Sequence, residues 1–186
     1  MRISHLIATL LCVGPCTAAT GSQAAESVPT YLTTYEAFYS GRRIGETQLS
    51  VTPIAGTSGA YEFRSVSRVR GIYRLLAPRP VEELSNFVVE DGMIRPLEYT
   101  FSNGNRGAED NFRIDYDWNR GRATITVQNL NTELQLVPRV LDPGSLQVAL
   151  VLRGGGLGDE QVSLLGRDGL EAHELRHAGE EILETP

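Results

Sequence analysis

Lysine is absent from this chain: all 17 basic residues among its 186 are arginine. That reflects genome composition and carries no functional content. Basic residues are also outnumbered, 17 to 23, for a formal net charge of −6. A basic nucleic-acid footprint is therefore missing at the level of the whole chain. Cysteine occurs twice, at Cys12 and Cys16, and nowhere later. No apolar run after the first residues is long enough to span a bilayer, which takes about 20 residues as a helix; the best, Leu146 to Leu152, is far shorter. No G-x-S-x-G elbow, P-loop or G-x-G-x-x-G is present, so the common nucleophile and phosphate-cradle chemistries have no sequence support.

What is there begins with an address. Residues 1–25 read as a secretory signal peptide: Arg2 is the positive start, Ile3 to Val13 the short apolar stretch, and Thr17-Ala18-Ala19 or Ser22-Gln23-Ala24-Ala25 the small-residue cleavage region. A lipoprotein site fits poorly, because Cys12 follows Leu11 and Cys16 follows Pro15. Cleavage leaves residues 26–186 as a single β-rich domain. That mature chain has no disulfide, no thiolate nucleophile and no cysteine metal ligand. The localisation expected is the periplasm.

The remainder alternates. Tyr31, Tyr35, Ala37 and Tyr39 share one side at period two. Gly41 to Gly45 reads as a turn before Leu49 and Val51. Tyr61 and Phe63, then Leu84 to Val89, then Leu97, Tyr99 and Phe101 follow, the last two separated by the hairpin signal Asp91-Gly92. Phe112, Ile114, Tyr116 and Trp118 form the cleanest alternation, continued after Asn119-Arg120-Gly121 by Ala123, Ile125 and Val127, then by Leu134 to Val137. Turn signals about every ten residues argue for a mainly β antiparallel meander, curled into a barrel or half-barrel. One short helix is expected near 143–153, with Asp142 as N-cap, Pro143 at N1 and Gly154 to Gly156 as its stop. Leu146, Ala149, Leu150 and Arg153 share a face of it, with Val148, Val151 and Leu152 beside it, and so apolar a helix should bury itself against the sheet.

Three constellations invite functional readings. His173-Glu174-Leu175-Arg176-His177 matches H-E-x-x-H, which on a helix would hold zinc and polarise a water. A catalytic zinc needs a third protein ligand, no histidine follows His177, and Gly179 interrupts a helix there. The alternative is strand-turn-strand, Leu170 to Ala178 and Glu181 to Thr185, in which Glu174 points away from both histidines. Arg64, Arg68, Arg70 and Arg74 make a basic stripe if residues 62–74 are one strand. It reads as a solvated face paired with acids such as Glu82 or Glu83, ahead of a landing strip for an anionic group. Tyr31, Tyr35 and Tyr39 read as packed core, ahead of a cavity lining.

Several landmarks in order resemble the DUF3108 family of exported bacterial proteins of unknown function. They are Tyr35-Glu36-Ala37 with Gly41 and Ile44-Gly45, Asp91-Gly92 with Arg95-Pro96-Leu97-Glu98-Tyr99, Phe112 to Trp118, Asp142 to Gln147, and Glu181-Ile182-Leu183-Glu184-Thr185-Pro186. The resemblance implies a β-rich periplasmic protein and supplies no catalytic residues. It also implies a strand pair over 170–186 and a further strand beyond Pro186, so that this chain is cut short at its C-terminal end. The function expected is a non-enzymatic binding module for a hydrophobic, lipid-like ligand or an envelope partner, with no catalytic residue, cofactor or metal. Alternatives are a zinc-dependent hydrolase using His173, Glu174 and His177, and a purely structural envelope protein.

Overall fold

A computed structural model describes residues 28–75, 78–104, 109–153 and 160–176. The signal-peptide stretch, the Gly154–Gly156 stop, His177 and the strand expected at 181–185 lie outside them.

The alternation folds into strands: β1 (Tyr31–Tyr39), β2 (Arg42–Pro53), β3 (Ala60–Val69), β4 (Val81–Glu90), β5 (Met93–Ser102), β6 (Phe112–Asp117), β7 (Arg122–Val127) and β8 (Leu130–Gln135), the last starting before the Leu134 to Val137 expected because the turn is the tight, positive-φ pair Gln128-Asn129. Each is antiparallel to the next in one sheet, in sequence order. The sheet is open. Among the described residues β1 and β8 each pair on one side only, so the ladder does not close into a barrel.

Tight hairpins hold this order. Ser40-Gly41 and Asp91-Gly92 both take positive φ, 50° and 74°, and 53° and 71°, the primed turn whose twist matches paired strands. The first turn is shorter than the Gly41 to Gly45 expected, because β2 already begins at Arg42. Gly45 serves another purpose. A Cβ there would lie 2.5 Å from the Arg68 carbonyl oxygen, so only glycine lets β2 and β3 approach at that point.

One row of side chains crosses the sheet: Val51, Phe63, Ser85, Tyr99, Ile114 and Ile125 sit opposite one another strand by strand. This face carries two apolar clusters. Val28, Val51, Phe63 and Phe87 surround Val148, while Tyr99, Ile114, Ala123 and Ile125 surround Val140 and Leu165. The covering layer is α1 (Pro143–Leu152), which touches β3, β4 and β5. A hairpin of β9 (Glu160–Gly166) and β10 (Gly169–Leu175) completes it. The alternation argument places no strand at 160–166. β9 forms because it has a partner on each side: β10, and Leu141, which donates to the Ser163 carbonyl at 2.9 Å and accepts from the Leu165 N–H at 2.8 Å.

α1 starts as expected. Asp142 caps it and Pro143 occupies the first turn, with a reciprocal capping box in which Ser145 takes the third position. The sheet takes the side that carries Val148, next to the Leu146, Ala149 and Leu150 face. Gly144, Ser145 and Val148 meet the sheet, whereas Leu146, Ala149 and Leu150 are only half-buried. Small residues win the sheet side because the approach is close: a Cβ on Gly144 would lie 2.8 Å from Phe63 Cδ1 and from Ser85 Cβ. A leucine cannot stand where a methyl group already collides.

Candidate functional site

The face of α1 that turns away from the sheet lines a cleft of about 570 Å³. Its apolar walls are Met93 and Ile94 at the start of β5, Leu146, Ala149 and Leu150 on α1, and Val162 and Leu175 on the terminal hairpin. Small-molecule sites occupy roughly 300–1,000 Å³ and combine such walls with a few polar groups. Here the polar groups are Arg95, Arg139 and Arg153, with Glu90 and Asp91.

Each wall has a local cause. The Asp91-Gly92 turn sets Glu90 and Met93 opposite each other as cross-strand partners, and both line the cleft. Arg139, left-handed at φ 60°, redirects the chain after β8 so that Val140 and Leu141 run into the core. Trp118, just beyond β6, also lines the cleft. Its indole N–H donates to the Pro96 carbonyl at 2.6 Å, the Tyr116 ring lies parallel to it at 6.2 Å, and the Arg95 guanidinium sits 4.8 Å from its centroid. Arg95 also donates to Glu90 across the hairpin. The chain's one tryptophan is thus oriented by three neighbours and reports directly on the cleft.

Beneath α1 lies a polar knot without solvent exposure. Asp142 Oδ1 accepts the Ser145 backbone N–H at 2.7 Å, and Asp142 Oδ2 accepts the Ser85 hydroxyl at 3.0 Å. Burial pushes the Asp142 carboxyl up to about 7, against the opposing pull of those hydrogen bonds. Nearby, the Tyr99 hydroxyl donates to Glu83 at 2.8 Å. Burial raises Glu83, and burial together with the Glu83 charge raises Tyr99. The Tyr116 hydroxyl is buried with no hydrogen-bond partner, and burial and the Asp142 charge raise it too. Asp142 and Ser85 are fully covered, so they position α1 and touch no ligand.

His173 and Glu174 do not line the cleft. His173 and Glu174 are on β10, a strand, so successive side chains leave opposite faces. The one-turn spacing a zinc helix requires is not formed at these positions. His173 is exposed and 3.2 Å from Glu171, and Glu174 pairs with Arg176 at 2.7 Å. Among the described residues no three His, Cys, Asp or Glu side chains converge on a metal position. The arginine stripe ends early. β3 stops at Val69 and Arg74 stands on a short 3-10 helix, Gly71–Leu75. Arg64 pairs with Glu82 at 3.3 Å, the partner expected, and Arg70 with Glu46 at 2.8 Å.

The tyrosine stripe divides. Tyr31 packs on the core, but Tyr35 and Tyr39 are 56% and 64% exposed. Opposite Tyr35 stand Thr47 and then Ser67, small hydroxyl residues that offer it no apolar packing, and the expectation of packed core is corrected there. The cleft residues went unseen in the sequence because they come from five separate segments. The turn signal at Asp91-Gly92 and the second apolar face of α1 were the available clues.

Among the described residues no helix is long and apolar enough to cross a membrane. A family model described as a protein of unknown function, DUF3108, matches residues 34–185. No curated protein and no solved structure matches the chain.

Proposed function

Because the chain belongs to the DUF3108 family, whose function is unknown, we propose a role from its geometry: a non-enzymatic, periplasmic binding module that holds a lipid-like ligand in the α1 cleft. In this reading the open sheet curls as a half-barrel around α1, and the apolar side of the helix that the sheet does not cover serves the ligand. The observation that carries the proposal is that face: Leu146, Ala149 and Leu150 line a cleft of about 570 Å³ together with Met93, Val162 and Leu175. Apolar walls favour an acyl chain, since burying it gains about 25 cal/mol per Å² of apolar surface. The guanidinium groups of Arg95 and Arg139 at the polar positions suit a carboxylate head, which can accept their charge-assisted hydrogen bonds.

The test uses purified full-length protein. Lipid extracted from it is identified by mass spectrometry, and oleate is titrated while Trp118 emission is followed. Saturable emission change with oleate, weaker with oleyl alcohol, supports the reading. No extracted lipid and no emission change with either probe overturn it and leave a structural envelope role.

A further inference from the structure

We propose that the protein pairs with a second copy of itself through the edge of β1 that no other described strand covers, antiparallel and centred on Tyr35, joining two eight-stranded sheets edge to edge. The two edges of the sheet are not alike. β8 has six residues, among them Asn131 and Glu133, and its Glu133 is held by Arg122 at 3.0 Å. β1 has nine residues, no proline or glycine, and a single charge, Glu36. Each edge carries one carboxylate, so length separates them: a short edge resists further pairing, whereas a long one without proline invites it.

β1 also exposes apolar bulk. Leu32, Tyr35, Phe38 and Tyr39 are each more than half exposed. The ladder between β1 and β2 shifts at Ala37/Phe38, where Ala37 faces Gly45 and Phe38 faces Arg43. The extra residue, Ile44, belongs to β2, so β1 itself runs on without insertion and its outer edge keeps a regular strand repeat.

The sequence of β1 is close to self-complementary when reversed. Centred on Tyr35, Tyr31 meets the second copy's Tyr39, Leu32 meets Phe38, Thr33 meets Ala37, Thr34 meets Glu36, and Tyr35 meets itself. Large apolar residues face large apolar residues, and no charge faces a like charge, the condition for favourable cross-strand pairs. Neighbouring registers fail. Centring on Glu36 sets Glu36 against Glu36, and centring on Thr34 sets Leu32 against Glu36. Pairing one residue with its own copy is what a two-fold, isologous contact requires. It also keeps the core faces of both sheets on one side.

Light scattering coupled to gel filtration of the wild-type protein, from micromolar to hundreds of micromolar, tests this. The expected result is a dimer. Tyr35→Lys, which sets two ammonium groups together at the two-fold, should give a monomer with unchanged melting, because Tyr35 is exposed. Thr34→Lys, which faces Glu36 of the second copy, should remain a dimer. A wild-type monomer throughout the range, or a dimer that survives Tyr35→Lys, overturns the proposal. Oleate binding is read separately on Trp118, so either proposal can fail without the other.

Discussion

The hydroxyl of Ser85, in the middle of β4, donates to the carboxylate of Asp142, the N-cap of α1, at 3.0 Å and out of contact with solvent. One buried hydrogen bond therefore joins the sheet to the start of the helix that walls the cleft. The same carboxylate accepts from the first turn of that helix, so sheet, cap and cleft share an atom group.

That group should make stability depend on pH in a defined sense. Burial raises the Asp142 carboxyl from an ordinary 3.8 to about 7. The native state then holds the proton more tightly than the unfolded chain. Its contribution is fully present below about pH 4 and is lost as pH rises to about 7. Melting temperature should fall between pH 5 and pH 8. Asp142→Asn keeps an acceptor for Ser145 and a partner for Ser85, and should flatten that fall. Asp142→Ala should cost about 1–2 kcal/mol through the lost cap. Calorimetry across this pH range on all three proteins decides, and an Asn variant with the wild-type slope would contradict the assignment.

Gly144→Ala should destabilise although alanine is the better helix former. Its Cβ would fall 2.8 Å from Phe63 Cδ1 and Ser85 Cβ, and overpacking typically costs about 1–3 kcal/mol. Urea denaturation measures the difference. A stabilised variant would mean that α1 does not approach β3 and β4 as closely as described.

Leu150→Asp should separate binding from folding. Leu150 lines the cleft and is half-buried rather than core. A charge there should weaken oleate affinity at least tenfold, about 1.4 kcal/mol, while the melting temperature changes little. Trp118 emission reads the first and circular dichroism the second.

Glu174→Gln and His173→Ala should be nearly neutral. Both side chains are exposed on β10, and surface changes usually stay within about 0.5 kcal/mol. Glu174 loses an exposed pairing with Arg176, of a kind that contributes little. Melting with and without EDTA should coincide for wild type and both variants. A chelator-dependent drop confined to the wild type would revive the zinc reading.

Export should be visible in the mature N-terminus. Intact-mass measurement of periplasmic protein should find cleavage within residues 19–25 and neither cysteine. A retained Cys16 carrying acyl chains would show a lipoprotein instead.

The sequence by itself determined whatever depends on neighbours along the chain. Alternation at Phe112, Ile114 and Tyr116 set a strand because successive side chains leave opposite faces. Asp91-Gly92 set a hairpin because those residues tolerate positive φ. Asp142 and Pro143 set a helix start because the cap and the fixed φ act within one turn. Everything that depended on distant segments was decided only by the tertiary structure. Leu146 and Val148 are equally apolar, so sequence leaves the buried side of the helix open, and only the closeness of Phe63 and Ser85 at Gly144 shows which side the sheet can accept. Tyr31 and Tyr35 have the same residue type and parity, and only contact with the cluster of Val28, Val51, Phe63 and Val148 separates core from surface. β9 depends on Leu141, more than twenty residues away in sequence. Local conformational preference is written residue by residue, whereas coverage is a property of what folds back on top, and that belongs to no single segment of the chain.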